Sequence, residues 1–558
     1  MTKHEQSYWT RRQASRRRVL KGSFAGAGGL LGAALVGCGS EDDDGPPAAA
    51  ATAAAGASPV VVQRNKGGKL RFGFTIPTRV SPRGATGGTH QEYLNVLGDS
   101  YVYINSKGEL DPSLSLWQSW EQPDSQTITA KLRPGVKFHD GTPFDAASVK
   151  RHLEYMTVAK NVPNFGFFSW FENFQSVEAV DAMTVRLKSK TPDASFLGIF
   201  ALAPGVPFSL QQVEKLGEDE MKQPAMTGPY LLKSYKDEGG MLMEANPEYW
   251  GERTFDSIDW QHIADSKIRA ASLEAGDLDA VWYIASDEST LQLSKDQTYK
   301  NYALSVAPAS LEMNHARPAL RDLRVRQAVA SALDKKKVID VVSRSQGRPT
   351  LTGLMAPNTY GALEYEKYPF DLKAAKQYLA AAGVTTPLKL VYGYSGTAAT
   401  AQAELTTMQI YQEDLRQIGI DLELSNVPVA SSVANSAWQK GELDFVNGSP
   451  GVRPDPAIQY NIYLSSKASL APGARLSTDP IHQTVDGMIQ KSLETFDRKE
   501  REKIFHDLHR TMVDNLLCRV QTIDRVRWFF HRKTVVASPE VVNAPGGASF
   551  RLRNVWRA

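Results

Sequence analysis

The stretch LDPSLSLWQSWEQPDSQTITAKLRPGVKFHDGTPFDAASVK, residues 110–150, decides the fold because it combines strand, turn and helix patterns in one short segment. Within TITAKL, residues 127–132, apolar side chains alternate with polar ones, which is typical of a strand with one buried face: Ile128, Ala130 and Leu132. Arg133-Pro134-Gly135 and His139-Asp140-Gly141 predict turns on either side of the short apolar piece VKF. The pattern predicts a hairpin-like meander.

Helical patterns follow the meander. Asp145 stands where it would cap a helix whose apolar positions recur every three or four residues: Val149, Leu153 and Met156. A second helix, with Lys335-Lys336-Lys337 near its far end, is predicted from one apolar stripe: Val325, Ala328, Val329, Ala332 and Leu333. A third runs from about Ala403 to Ile418, ends at Gly419 and leads into the alternating strand IDLEL. The body is therefore a mixed α/β structure.

A short sequence motif occurs twice in the middle of the chain, and we call its two copies the sequence echoes. AGDLDAV at 275–281 and KGELDFV at 440–446 each follow a helix-like segment. In both, a glycine ends the helix and a short strand begins. Such helix-to-strand units, far apart in the chain, favour two lobes that each carry an α/β sheet.

The N-terminal part has a different composition. In SRRRVLKGSFAGAGGLLGAALVGCGSEDDD, residues 15–44, the uncharged run Gly22–Gly37 contains six glycines, each costing about 1 kcal/mol in a helix interior. The run is also shorter than the ~20 residues that span a bilayer, and it follows a basic cluster. These features predict a signal peptide over residues 1–37 rather than a core helix.

Two short motifs in this segment resemble known export signals. The sequence around Arg16 and Arg17 resembles the twin-arginine export motif. Leu35-Val36-Gly37-Cys38 resembles a bacterial lipobox, in which a peptidase cuts before the cysteine and the thiol takes a lipid. The alternative, a chance cysteine after small residues, stays open. The resemblance implies that Cys38 becomes the lipidated first residue of the mature protein.

Cleavage before Cys38 would change the overall charge. Residues 1–37 carry seven Lys or Arg and one Glu, so their removal takes the formal net charge from +3 to −3. No basic run with interleaved aromatic residues follows, so nucleic acid is not an expected partner. Only Cys518 would remain unmodified, which excludes an intrachain disulfide. Residues 38–66 are acidic and then rich in Ala, Pro and Gly, a composition that predicts a disordered tether.

Enzyme signatures are absent from the sequence. It contains no G-x-S-x-G elbow, no H-E-x-x-H, no C-x-x-C and no Walker lysine motif. His506 and His509 have helical spacing and could seed a metal site, but a solvated helix face explains them more simply. The aromatic run FGFFSWFENF, residues 165–174, could line a ligand site through Trp170, although core packing explains most of its rings.

The stretch at 110–150 resembles the signature of family 5 bacterial extracellular solute-binding proteins, the group that includes dipeptide-, oligopeptide- and nickel-binding components of ABC importers. Further family-like blocks follow in the expected order: TGPYLLKSY (227–235), NPEYWG (246–251), MNHARPALRDLRVRQAVASALDKKKVID (313–340), YPFDLKAAKQYLAAAG (368–383), LRQIGIDLEL (415–424) and GELDFVNGSPGVRPDPA (441–457). The resemblance extends over nearly all of residues 69–530.

The resemblance implies a two-lobed periplasmic-binding-protein-like fold of type II, with an extra domain inserted in the first lobe. Lobe 1 is expected at 67–95, 205–310 and 515–558, the insert at 96–204, and lobe 2 at 311–514. A ligand would be enclosed between the lobes, and the closed state would be favoured only by ligand contacts to both.

The chain departs from the peptide-binding members at one point. Three residues before Asp455-Pro456, where the resemblance implies an acid for the amino end of a peptide, stands Val452. Ser449 replaces a usual aromatic residue, and Arg453 adds a positive charge beside the vacancy. The expected ligand-binding residues are Trp282, Tyr394, Asn447, Ser449, Val452, Arg453 and Trp170. A solute with negative charge or many hydroxyl groups fits this set better than a peptide with a free ammonium group.

The sequence thus predicts an extracytoplasmic, lipid-anchored, monomeric solute-binding protein that works with ABC permease subunits, without cofactor, metal or catalytic residues. Two alternatives stay open. One is a sensor or solute chaperone of the same fold without an importer, and the other is a cryptic hydrolase on this scaffold.

Overall fold

The computed structural model describes residues 65–76, 79–84, 90–105, 109–162, 171, 173–236, 239–285, 288–345, 347–357, 359–394, 398–427, 438, 440–448, 453, 455–466, 480–543 and 549–558. Chain contacts place residues 62–558 in one compact unit. The predicted signal peptide, with Arg16, Arg17 and Cys38, lies outside the described residues, as do Trp170, Ser449 and Val452.

The strands lie at β1 Lys69–Phe74, β2 Trp117–Asp124, β3 Thr127–Leu132, β4 Phe174–Asp181, β5 Thr184–Ser189, β6 Tyr230–Lys236, β7 Gly240–Ala245, β8 Ser257–His262, β9 Ala280–Ala285, β10 Tyr299–Met313, β11 Leu388–Tyr394, β12 Ile420–Asn426, β13 Phe445–Gly448, β14 Arg519–Arg532, β15 Val535–Ala537, β16 Val542–Asn543, β17 Ser549–Phe550 and β18 Val555–Arg557.

The helices lie at α1 His90–Leu97, α2 Ala146–Met156, α3 Phe196–Ile199, α4 Leu210–Leu216, α5 Ser266–Ala275, α6 Glu288–Lys295, α7 Pro318–Arg321, α8 Leu323–Ala332, α9 Lys335–Val342, α10 Leu372–Ala382, α11 Ala398–Arg416, α12 Pro456–Leu464, α13 His482–Glu494 and α14 Arg498–Asp514. In the described part of the chain, no helix is long and apolar enough to cross a membrane.

A ten-stranded sheet runs through the body in the order β12-β11-β13-β10-β14-β9-β1-β8-β7-β6. The long strands β10 and β14 pair antiparallel at its centre, from Tyr299 opposite Arg532 to Glu312 opposite Arg519. The parallel strands β9, β1 and β8 lie on one side of this pair, and β13, β11 and β12 lie on the other. The two halves of the sheet are therefore joined through β10 and β14.

A separate four-stranded sheet has the order β2-β3-β5-β4 and is antiparallel throughout. The strand prediction in TITAKL is confirmed, since Ile128, Ala130 and Leu132 are buried in β3. The helix prediction beside it is also confirmed. Asp145 caps α2 through the Ser148 N–H in a capping box, with Val149, Leu153 and Met156 buried on its inner face.

The two sequence echoes form the same local structure in both halves of the sheet. In the first half, the Asp279 carboxylate accepts the Arg71 N–H of β1 at 2.9 Å and the Arg71 guanidinium at 2.7 Å. In the second half, the Asp444 carboxylate accepts the Val391 N–H of β11 at 2.8 Å and the Arg317 guanidinium at 2.7 Å. Each aspartate thus ties the start of its strand to a neighbouring strand and to an arginine.

The glycines of the neighbouring strands repeat this correspondence. Gly73 of β1 lies against Leu278, and Gly393 of β11 lies against Leu443, so close that a Cβ on either glycine would clash with the leucine. Each leucine directly precedes the aspartate of its echo. The two echoes therefore pack against the neighbouring strand in the same way. Gly276 ends α5 in the left-handed conformation, as the sequence predicts. Gly441 also has a positive φ, 75°, but residues 428–437 and 439 before it lie outside the described residues.

Several local predictions need correction. The lysines at 335–337 do not end α8, because Asp334 accepts the Lys337 N–H and begins a new helix there. The VKF piece makes only an isolated bridge between Lys137 and Pro143 rather than a strand. Asn65, placed in the predicted tether, forms a bridge with Arg557, so the folded body includes the last residues of that segment.

The helix predicted near 403–418 is confirmed and begins slightly earlier, at Ala398. Gly419 follows it with a positive φ of 88°, and β12 then begins at Ile420. Two large hydrophobic clusters fill the body. One uses residues from 70–282 and 529–555 together with Ile458 and Ile462, and the other uses residues from 311–523.

We expect Asp444→Ala to lower the free energy of unfolding by about 2–3 kcal/mol, because it leaves the Arg317 guanidinium and the Val391 N–H without their acceptor. Asp279→Ala should cost less, since Arg71 and Asp279 have more exposed side chains, 39% and 14%, than Arg317 and Asp444, 31% and 1%. Urea unfolding measures both values. Equal losses from the two variants, or a loss in the exposed neighbour control Glu442→Ala as large as in Asp444→Ala, would contradict the assignment.

Candidate functional site

The carboxyl ends of the parallel strands face each other across the middle of the molecule. On the first side, the last residue of β9, Ala285, pairs with Arg527 of β14, which itself pairs with Leu304 of β10. On the second side, the last residue of β13, Gly448, pairs with Ser310 of β10. The six residue steps from Leu304 to Ser310 span about 20 Å along β10. Ligands of α/β sheets bind at such strand ends, so this gap is the candidate site.

The strands that cross the gap are irregular. The pairing of β10 with β14 shifts register between Ser305 and Ala307 and again between Pro308 and Ser310. Bulges of this kind bend a strand locally and loosen its pairing. Beside them, the buried Asp524 carboxylate of β14 accepts the Arg348 guanidinium at 2.8 Å and the Thr350 hydroxyl at 2.9 Å. The part of β10 and β14 that crosses the gap is therefore bent at two register shifts and held at Asp524 by Arg348 and Thr350.

The first wall of the gap contains a buried carboxyl group. Glu92, in the first turn of α1, is fully buried, and its Oε1 accepts a long hydrogen bond, 3.4 Å, from the Trp282 indole N–H. Its Oε2 has no hydrogen-bond partner within the described structure. Burial raises the pKa of Glu92 to about 8, against the opposing effect of the nearby Arg527, whose own pKa burial lowers to about 9.

The second wall carries two of the predicted site residues at strand ends. Tyr392 pairs with Phe445 and Gly393 with Val446, so Tyr394 and Asn447 follow at neighbouring strand ends. The Asn447 amide donates to Glu404 Oε2 at 3.1 Å, and the Tyr392 hydroxyl donates to Oε1 at 2.6 Å. Glu404 of α11 thus accepts from both strands, which orients the Asn447 side chain toward that helix.

A second charged group lies where β13 ends. Glu312 of β10 and Arg519 of β14 form a buried ion pair at 2.8 Å, and the Ser310 hydroxyl donates to the same carboxylate at 2.7 Å. The Arg519 guanidinium lies over the Tyr463 ring, 5.1 Å from its centroid. Arg453 is partly buried and interacts electrostatically with Tyr463, while burial lowers its pKa.

The predicted site residues are therefore distributed over both walls. Trp282 belongs to the first wall but is fully buried, and its indole N–H donates to the equally buried Glu92. Tyr394 and Asn447 lie on the second wall, and Arg453 lies beyond the end of β13. The predicted ligand-binding residues Trp170, Ser449 and Val452 lie outside the described residues, so their role stays a prediction.

Sequence reasoning missed five charged residues of the walls: Glu92, Glu312, Glu404, Arg519 and Arg527. A usable signal existed for two of them. In ASLEMN and LLCRVQ, a single charge interrupts an otherwise apolar strand pattern, and the two charges have opposite sign. Charges of opposite sign in strands of apolar character indicate a buried pair. Glu92 offers no such signal, because its surroundings are polar in sequence.

The prediction that His506 and His509 lie on a solvated helix face needs correction. His509 is not on a solvated face. It is buried against the body with its Nε2 3.1 Å from the Leu351 carbonyl oxygen, and burial lowers its pKa to about 4. Within the described ranges, no group of three or more His, Cys, Asp or Glu side chains is arranged to hold a metal ion.

Curated relatives include the glutathione-binding proteins of Salmonella paratyphi A and Escherichia coli. Both are 30% identical to this chain over 317 residues, which are 56% of this chain and 60% of the relative. The match therefore spans less than two thirds of the length of these relatives.

Solved structures show the same fold. NikA from Brucella suis in complex with Fe(III)-EDTA is 24% identical, has a TM-score of 0.76, and is matched over 88% of this chain and 100% of its own. DppA from Helicobacter pylori in complex with the peptide STSA is 20% identical, with a TM-score of 0.73 over 88% and 98%. The oligopeptide-binding protein AppA from Bacillus subtilis, in complex with a nonapeptide, is 20% identical, with a TM-score of 0.74 over 89% and 100%. The body is thus a two-lobed α/β binding-protein fold.

The family model described as "Bacterial extracellular solute-binding proteins, family 5 Middle" matches residues 111–470, more than half of the chain. The two-lobed fold and the ordered sequence blocks agree with this match. The chain belongs to the family 5 bacterial extracellular solute-binding proteins.

Proposed function

We propose that this protein is an extracytoplasmic lipoprotein that captures a small solute between two lobes and delivers it to an ABC importer. The observation that carries the proposal is the facing arrangement of strand ends in the two halves of the sheet, about 20 Å apart along β10. A solute in this gap contacts both walls at once. Such a contact stabilises the closed form, which a permease can then recognise.

The lobe boundaries form part of the proposal. We assign lobe 1 to 67–95, 205–310 and 515–558, the insert to 96–204, and lobe 2 to 311–514. The four-stranded sheet supports the insert, because all its strands fall inside 96–204. Most of the second hydrophobic cluster lies within lobe 2, which supports that lobe, and Leu516, Val520 and Ile523 of the segment assigned to lobe 1 pack into it.

Contacts between the assigned parts support closure as the capture step. Ile458 and Ile462 of α12, in lobe 2, pack into the cluster that is otherwise made by lobe 1 and the insert. The Ala194 N–H of the insert donates to the Leu493 carbonyl of lobe 2 at 2.8 Å. A solute that contacts both lobes adds to these contacts and favours the closed form.

The proposed solute is anionic or rich in hydroxyl groups. Transfer of an ammonium group from water into a closed gap costs several kcal/mol unless a carboxylate receives it. Val452 offers no carboxylate, Glu404 is engaged by Tyr392 and Asn447, and Glu92 is uncharged for the most part at neutral pH. Arg453 supplies positive charge that suits a carboxylate or phosphate.

The anchor rests on the sequence of residues 15–44. Cys38→Ser should release the processed protein into the soluble extracytoplasmic fraction, because a body without a transmembrane helix depends on its acyl chains for attachment. Cell fractionation with immunoblotting measures the distribution. Replacement of Arg16 and Arg17 by lysine should retain the precursor inside the cell. Complete membrane attachment of the Cys38→Ser protein would refute the lipid anchor, and normal export of the double-lysine variant would refute the twin-arginine route.

A calorimetric comparison tests the solute class. N-acetyl-Ala-Ala, which carries one carboxylate and no ammonium, should bind at least about tenfold more tightly than Ala-Ala, since the described residues of the two walls provide no free carboxylate for the ammonium group. The two peptides are matched in length and side chains, so each is the control for the other. Micromolar or tighter binding of several peptides with free ammonium groups would overturn the assignment of an anionic solute.

Glu92→Gln should remove a pH dependence of stability. The folded protein holds a proton on Glu92 up to about pH 8, whereas the unfolded chain releases it near the ordinary pKa of 4.5. Stability of the wild type therefore falls, relative to Glu92→Gln, as pH rises from about 4.5 to 8, by up to about 1.4 kcal/mol per pH unit. Thermal unfolding of both proteins at pH 5 and pH 8.5 measures the difference. A gap in Tm that is the same at both pH values would refute it.

A further inference from the structure

The ion pair between Glu312 and Arg519 joins two adjacent strands, β10 and β14, close to the end of β13. Their side chains are 2% and 1% exposed. Arg519 Nη2 donates to Oε1 of Glu312 at 2.8 Å and to Oε2 at 3.1 Å. Burial of two charges costs hydration that their attraction seldom exceeds, so a pair in this position calls for a role beyond stability.

The backbone of β13 is fitted to this pair. Gly448 lies directly against the Glu312 carboxylate, and a Cβ at this position would clash with Oε1 and Cδ. Ser310, which pairs with Gly448 across the strands, donates its hydroxyl to the same carboxylate at 2.7 Å. Glu312 is therefore held in one position by two neighbouring residues and by Arg519.

Arg519 retains donors that this pair does not use. Only Nη2 donates to Glu312, whereas Nε and Nη1 are buried and have no hydrogen-bond partner in the described part of the protein. Buried N–H groups without acceptors are rare in folded proteins because each loses its hydration without compensation. The two donors indicate an acceptor that belongs to a bound molecule.

The charge around Arg519 has the sign that an anion requires. Arg519 lies over the ring of Tyr463, and Arg453 interacts electrostatically with the same tyrosine. Two guanidinium groups therefore share one tyrosine, while the ion pair supplies a single carboxylate, Glu312. Arg519 thus belongs to a group with two guanidinium side chains, close to the end of β13 where the gap begins.

We propose that Arg519, positioned by Glu312 and Tyr463, is an anion-binding residue of the solute site and donates Nε–H and Nη1–H to a carboxylate of the solute. The inference rests on the proposed solute-binding function and adds to it a residue on the crossing strand. Because Arg519 belongs to β14, a strand shared by both halves of the sheet, an anion held there would be connected directly to the segment that crosses the gap.

Small anions test the site without knowledge of the natural solute. Succinate and acetate, titrated into the full mature protein, should raise its Tm, and inorganic phosphate at the same ionic strength should raise it less. Arg519→Lys keeps a positive charge beside Glu312 but loses the two spare donors, so it should bind succinate at least about tenfold more weakly by calorimetry.

Glu312→Gln separates a binding role from a structural one. The glutamine oxygen can still accept from Nη2 and position Arg519, whereas the negative charge of Glu312 is lost, so succinate should bind at least about fivefold more tightly. A purely structural ion pair predicts weaker or unchanged binding in this variant. Arg83→Gln is the matched control, because it breaks another buried ion pair, with Glu220, that is not part of the walls of the gap, and it should leave succinate binding unchanged.

Native mass spectrometry of the same preparations distinguishes failure of this inference from failure of the proposed function. If the wild type carries a solute and Arg519→Lys carries it equally, the role of Arg519 is refuted and the solute-binding function stands. If the wild type neither carries a solute nor binds the acetylated peptide, the function itself fails. A response to phosphate alone, or no response to any carboxylate, overturns the assignment of a carboxylate subsite.

Discussion

The antiparallel pairing of β10 with β14 is the constraint on which the other parts of the structure depend. Both strands belong to both halves of the sheet. They run together from the region where β14 pairs with β9 to the region where β10 pairs with β13. Their direction sets the direction of every parallel strand beside them. As a result, the strand ends that α/β proteins use for ligands face one another, and the gap between them is bridged by backbone hydrogen bonds with two register shifts.

The two halves of the sheet contain the same set of local contacts. Asp279 and Asp444 accept a backbone N–H of the adjacent strand and an arginine guanidinium, and the leucine before each aspartate occupies the space left by a glycine. This arrangement fixes the register of the strands that deliver Trp282 and Asn447 toward the gap. Because both sequence echoes make these contacts, they occupy equivalent positions in the two lobes, at the starts of β9 and β13.

Charge in the gap is controlled by burial rather than by the number of acidic and basic residues. Glu92 is a carboxyl group in sequence, yet its burial favours the uncharged form at neutral pH. Glu312 is held close to Arg519 and Ser310, and Glu404 accepts from Tyr392 and Asn447. The carboxylates of the described walls are thus neutral or engaged, while two donors of Arg519 have no partner in the described structure, and we propose an anionic solute on this ground.

The sequence by itself determined the α/β class, the family and much of the local structure. Alternation in TITAKL, the cap at Asp145 and the glycine at 419 are properties of neighbouring residues, so they could be recognised without a fold. The positions of Tyr394 and Asn447 also followed, because they come after recognisable strands.

Only the tertiary structure decided which charges meet. Glu312 and Arg519 are 207 residues apart and become partners through strand register. Glu92 and Trp282 are 190 residues apart and meet only in the folded protein. The same holds for His509, whose helical spacing is compatible with an exposed face until Leu351 covers it. Spacing along the chain reports the shape of one element, whereas burial and ion pairing depend on its neighbours, and those are set by the fold.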